Sequence, residues 1–154
     1  MTKETAPIKT PSKKAANTGK WAVTMAQVKI RQAVSHAPFP RWKFISFLGP
    51  GGRESRGVVD LIAVRKDHRS SDEGLKRGDA LQIILIQAKG GSAAKPTLED
   101  GERLRRVARL HRAKDILLAS WKKGKAAQFY TLRRKAVEGK SDWIEVADLN
   151  DIFC

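Results

Sequence analysis

Three side chains are spaced for chemistry: Asp60, Gln87 and Lys89. Asp60 sits in the run Gly57-Val58-Val59-Asp60-Leu61-Ile62-Ala63-Val64. Gln87 and Lys89 close the run Leu81-Gln82-Ile83-Ile84-Leu85-Ile86-Gln87-Ala88-Lys89. Each run is short, apolar and bounded by polar residues, the pattern of a buried strand. Side chains alternate along a strand, so Gln87 and Lys89 share a face. If the two strands pair, Asp60 joins them, and an acid, an amide and an amine converge. Burying such groups is costly unless they are paired or bind an ion, so packing gives a core strand no reason to end in Gln-x-Lys. A functional site does.

Charge points the same way. The chain has 154 residues, with 31 Lys and Arg against 16 Asp and Glu, a formal net charge of +15. Such an excess suits a polyanionic partner, DNA or RNA before an acidic membrane surface. The positive residues are spread along the chain, so the folded body should carry a basic face. The length suits one domain with a real core. No apolar run is long enough to span a membrane, and no apolar segment follows the charged N-terminus as a secretory signal requires. The one cysteine, Cys154, excludes an intramolecular disulfide framework and a cysteine-rich metal site. A reducing cytoplasm is the expected compartment, with nucleoid association if the source is bacterial.

The elements that must hold the three residues can be read in order. Residues 1–20 are Lys, Thr, Ser, Ala and Pro with almost no apolar content, and are expected to be a disordered basic tail. Residues 21–154 form the single expected domain. A helix is expected from Thr24, as N-cap, to about His36, with Ala26, Ile30, Ala33 and Val34 inward. A strand over Arg41–Leu48 follows, then the turn Gly49-Pro50-Gly51-Gly52. After the Asp60 strand, Arg65–Asp79 reads as a long charged hairpin connection. A second helix opens at Lys95-Pro96-Thr97, with Thr97 as N-cap and Asp100 three residues on, a relative of the capping box. Leu104, Val107, Ala108 and His111 form its inner stripe, and Glu99–Arg103 and Glu102–Arg106 are expected pairs. Ile116–Trp121 and Gln128–Arg133 are further strands, Trp143–Val146 is a possible edge strand, and Ala147–Phe153 a closing turn or helix. Arg53, Arg56, Arg105, Arg109, Arg112, Lys122, Lys123 and Lys125 are candidate nucleic-acid contacts; an ordinary solvated face is the competing account of the helix arginines. There is no zinc spacing, no phosphate-binding Gly loop with its Lys, and no nucleophile paired with a histidine.

The order helix, strand, strand, strand, helix, strand, strand resembles the core of the PD-(D/E)XK nuclease superfamily, the restriction-endonuclease-like fold. There the second and third strands carry an acid and then an acid-x-lysine. The matching residues here are Asp60 and Gln87-Ala88-Lys89, followed by Gly90-Gly91 and a capped helix. The Gln-x-Lys variant is most similar to Holliday junction resolvases of the archaeal type and to methyl-directed restriction endonucleases. The resemblance implies an α/β fold, with a mixed sheet of about five strands between helices. It implies a magnesium-dependent DNA endonuclease, manganese substituting, possessed of no small-molecule cofactor and acting on branched or duplex DNA as a homodimer. Asp60, the Gln87 side-chain oxygen and the Ala88 backbone carbonyl would hold the metal, and Lys89 would orient the attacking water. The resolvases carry a Glu on the first helix; that helix has no acid here, leaving Glu54, or with less charge Gln27, as the substitute. Two alternatives stand beside this: a nucleic-acid-binding module with a weakened site, and a basic RNA- or ribosome-associated protein.

Overall fold

In the computed structural model the described residues are 13–37, 40–49, 57–69 and 72–154. Helix α1 spans Lys13–Ala33, β1 Lys43–Ser46, β2 Leu61–Lys66, β3 Leu81–Gly90 and α2 Leu98–Leu110. They are followed by β4 Asp115–Trp121, β5 Gln128–Leu132, β6 Trp143–Glu145 and α3 Asn150–Phe153. The class is α/β, and the sheet has six strands rather than five, in chain order. Every neighbouring pair is antiparallel except β3 and β4, so the sheet is mixed. That parallel pair needs a crossover, and α2 supplies it. The sixth strand is the three-residue edge Trp143–Glu145.

The sheet's two faces are set by alternation. Leu61, Ala63, Ile84, Ile86, Leu117, Ala119 and Phe129 point to one face, where Ala26 and Ile30 of α1 pack on them. On the opposite face α2 brings Leu104 against Ile116, Leu132 and Val58. The central strand β3 is buried on both faces, which is why its sequence reads as a continuous apolar run. Trp42 ties the first edge to the chain's end. Its indole Nε1 donates to the Phe153 carbonyl at 2.7 Å, and the two rings meet edge to face with centroids 5.3 Å apart.

Helix α1 begins at Lys13, not Thr24, so residues 13–20 belong to the fold and not to a tail; residues 1–12 and positions 50–52 of the expected turn lie outside the described residues. Thr24 is no cap: its hydroxyl donates to the Lys20 carbonyl one turn back. The extra turns are held by a contact invisible in the local pattern. A Cβ on Gly90 would lie 2.9 Å from the Thr18 carbonyl oxygen and from Thr18 Cγ2, and 3.1 Å from Ala22 Cβ. Glycine at the end of β3 is what lets α1 cross so closely.

The capping box of α2 is formed, with the Asp100 N–H donating to Thr97 Oγ1 at 3.1 Å and the Thr97 N–H to Asp100 Oδ2 at 3.2 Å. His111 departs from its expected inward place: it is exposed, and its N–H caps the helix end. The ion pairs also differ from the expected spacing. Arg103 meets Asp100 at 3.5 Å and Arg105 meets Glu102, both three residues apart. The 65–79 connection is laced by hydrogen bonds from Asp67 N–H to Ala80 O and from Lys76 N–H to Asp79 Oδ2.

Candidate functional site

The site is built where β2 begins and β3 ends. Gln87 and Lys89 follow Leu85 by alternation and point to the α2 face, with Leu118 and Ser120 of β4 as their register partners. Asp60 reaches them by a different route from the one alternation suggests. It immediately precedes β2, and its backbone is kinked. Its N–H donates to the Ile86 carbonyl at 3.0 Å on one side, while its carbonyl accepts from the Phe47 N–H at 2.9 Å on the other. Leu61 is the register partner of Ile86 as well, so two residues oppose one, the arrangement of a β-bulge. A bulge re-aims a side chain. Here it sends the Asp60 carboxylate along the edge of β3, where Oδ2 accepts from the Ala88 N–H at 2.8 Å.

That hydrogen bond fixes two further groups. In an extended strand a residue's N–H and C=O leave on the same edge. The Ala88 carbonyl therefore faces the Asp60 side. Gln87, whose carbonyl carbon bears the Ala88 nitrogen, is the adjoining residue. It is only 5% exposed, and its Oε1 has no hydrogen-bond partner among the described residues. A buried oxygen left without a donor costs about 1–3 kcal/mol. Lys89, next on the same face, is half-buried, with no carboxylate partner among the described residues.

A carboxylate, an unpartnered amide oxygen and a backbone carbonyl thus gather at one strand end. All three are hard oxygen donors, the kind that magnesium prefers. Among the described residues no group of three His, Cys, Asp or Glu side chains is placed to hold a metal. Any cation here would depend on neutral oxygens for most of its protein ligands.

The other expected residues are dispersed. Lys122, Lys123 and Lys125 are exposed in the turn after β4, whose last residue Trp121 is the register partner of Gly90. They stand at the same end of the sheet as Lys89. Glu54, Arg53 and Arg56 lie outside the described residues. Arg105 is not a surface phosphate contact. It is 4% exposed; Nε donates to the Arg133 carbonyl at 2.8 Å, Nη1 pairs with Glu102, and Nη2 lies 3.2 Å from Asp142 Oδ2. It pins α2 to the β5–β6 connection. Arg109 and Arg112 are exposed, but at the far end of α2 from Asp60. Gln27 belongs to α1, which packs on the face opposite Gln87. Trp121 packs against the Ala22, Val23 and Ala88 cluster, closing the core edge.

Sequence reasoning did not single out Ser120 and Gln128. The register aligns Lys89, Ser120 and Gln128 in one row across three strands on the α2 face. Beside that row Lys95 Nζ sits 4.9 Å from the centre of the Tyr130 ring. Ser120 precedes Trp121 at the end of an apolar run, as Lys89 precedes Gly90, and that parallel was the available signal.

Comparison with protein-family models, with curated proteins and with solved structures gives no match.

Proposed function

We propose that this chain is a metal-dependent DNA endonuclease whose sheet and helices form a restriction-endonuclease-like core. The observation that carries this reading is the buried, unpartnered Gln87 Oε1 on the residue next to Ala88, whose N–H holds the Asp60 carboxylate. A purely structural strand would gain stability by placing an apolar residue at Gln87.

Asp60, Gln87 Oε1 and the Ala88 carbonyl would hold Mg2+, or Mn2+ in its place. When bound, the cation supplies charge neutralisation at the phosphate and lowers the pKa of bound water. The remaining work falls to the chain. The Ala88 N–H holds one oxygen of Asp60, orienting the carboxylate before any ligand arrives. The Lys89 ammonium donates to a phosphate oxygen or to the attacking water and offsets charge that builds in the transition state. Lys122, Lys123 and Lys125 hold flanking phosphates, which position a strand without reading its sequence. Gln in place of a second acid leaves the site one negative charge poorer. That weakens metal capture by the free protein and lessens repulsion of the incoming phosphate.

The test is cleavage of a labelled four-way DNA junction, a linear duplex and a single-stranded RNA, each with Mg2+, Mn2+ or chelator. Metal-dependent cleavage of DNA is expected. Asp60→Asn should slow it about a thousandfold and Lys89→Ala about a hundredfold. Both variants should bind DNA within a few-fold of the parent. Failure to cut any DNA with either metal overturns the nuclease reading. That Asp60 is the one carboxylate of the candidate site among the described residues favours one second reading, a nucleic-acid-binding module with a weakened site. Tight DNA binding without cleavage would establish it.

A further inference from the structure

A recess lies on the same face of the sheet as Gln87, at the end of α2 far from Asp60. It encloses about 580 Å3 between the last turn of α2, the start of β4 and the end of β5. That is the size of a small-ligand site. Its floor is apolar, with Ile116 and Leu132 buried. Its exposed rim is cationic, with Arg109, Arg112, Arg134 and Lys135.

The charge there is not balanced from within. Arg109, Arg112 and Lys135 have no ion pair among the described residues. The Arg105 wall is already neutralised by Glu102 and Asp142. The recess has one acidic residue, Asp115, whose carboxyl offsets charge of Lys114 and Arg134 and leaves Arg109, Arg112 and Lys135 uncompensated. The Lys114 ammonium is committed elsewhere, donating to the Ile152 carbonyl at 2.6 Å. Arg134 spends Nη2 on the Lys114 carbonyl at 2.8 Å, which fixes its guanidinium while leaving other donors. The C-terminal end of α2 opposes an anion with about half a unit of negative charge. Four cations outweigh it, and the N–H groups of His111, Arg112 and Ala113 already occupy the carbonyls of Val107, Arg109 and Ala108.

Arg112 stands at the turn that ends α2. It is the one non-glycine among the described residues with positive φ, at 50°. A glycine would sit there without strain. The left-handed turn itself is what ends α2, with the Arg112 N–H donating to the Arg109 carbonyl and the Ala113 N–H to the Ala108 carbonyl, and it fixes where the Arg112 side chain leaves the backbone.

We propose that this recess is a phosphate-ester site, taking the phosphate of a nucleotide on the arginine rim and its sugar and base over the apolar floor. Planar guanidinium forks match phosphate oxygens two at a time, and the floor suits a ring more than a hydrated ion. The phosphate can come from a free mononucleotide or from a nucleic-acid strand. The proposal stands apart from catalysis at Asp60.

The experiment is run in chelator, so no nuclease step intervenes. AMP and a hexamer of single-stranded DNA are titrated separately, following the backbone amides of Ala108, Ala113 and Ile116 by NMR. Saturable shifts with AMP assign the site to a free nucleotide; shifts with the hexamer alone assign it to a strand. The Arg109→Ala/Lys135→Ala double variant should weaken whichever probe binds about tenfold. In the triple variant Lys122→Ala/Lys123→Ala/Lys125→Ala, which lowers overall charge more, those three amides should still saturate with AMP or hexamer. Arg112→Gly should raise the melting temperature while lowering affinity, separating binding from folding. The proposal is overturned if neither probe moves those amides, or if the rim and lysine variants weaken them equally.

Discussion

At the scale of single residues, the site divides into what helps folding and what opposes it. Asp60 is satisfied in part by the Ala88 N–H, but Gln87 Oε1 is buried without a partner. Replacing Gln87 with Leu removes that orphan at similar volume. The expected outcome is a gain of about 1–2 kcal/mol in urea unfolding together with loss of cleavage. Gln87→Glu should move the other way, cutting at lower Mg2+ because a second carboxylate captures the cation, while folding less stably without metal. A metal titration of activity, read beside an unfolding curve, tests both. The three candidate residues stand out in the sequence because polar side chains at the end of an apolar strand violate the packing rule. The bulge that turns Asp60 was not. It depends on where the Phe47 and Ile86 backbones stand, and alternation within one strand carries no trace of either. Arg105 misled for a related reason. Its nearest acid along the helix, Glu102, was assigned to Arg106, and Asp142 lies far along the chain.

At the scale of elements, the positions of the strands and the cap of α2 followed from local pattern, whereas the start of α1 did not. Asn17, Thr18 and Gly19 make the first turns of α1 weak helix formers, so they are held by what they pack on. Here that is Gly90, against which Thr18 and Ala22 rest. Gly90→Ala should therefore destabilise the fold by about 1–3 kcal/mol, because the neighbouring atom is a helix carbonyl that cannot move aside cheaply. Chemical denaturation followed by far-UV circular dichroism would measure it. The junction of α2 and β4 gives a pH-dependent counterpart. Burial pushes the Asp115 carboxyl above its ordinary value of 3.8, with Lys114 and Arg134 pulling it back. The folded state then holds this proton more firmly than the unfolded chain does. Stability from this group is full below the ordinary value and is lost as pH rises through the folded one. Asp115→Asn should flatten that decline in a series of melts taken upward from the ordinary carboxylate value.

At the scale of the molecule, positive charge governs how a partner is met. With a formal net charge of +15, binding of any nucleic acid should weaken steeply with salt. Each phosphate neutralised on duplex DNA adds about −0.9 to the slope of log affinity against log salt. Removing Lys122, Lys123 and Lys125 together should reduce that slope by ~2.7 if all three meet phosphates. Fluorescence anisotropy across a salt series would read it. Among the described residues no helix is long and apolar enough to cross a membrane. The order of the strands has a consequence in time. Each strand lies beside the one made just before it, so the sheet can lengthen as the chain is synthesised. One contact cannot: the Trp42 indole waits for the Phe153 carbonyl, 111 residues away. Until that late partner arrives, the first edge strand stays unlatched, and a ribosome-stalled chain should show its Trp42 indole N–H exchanging freely with solvent.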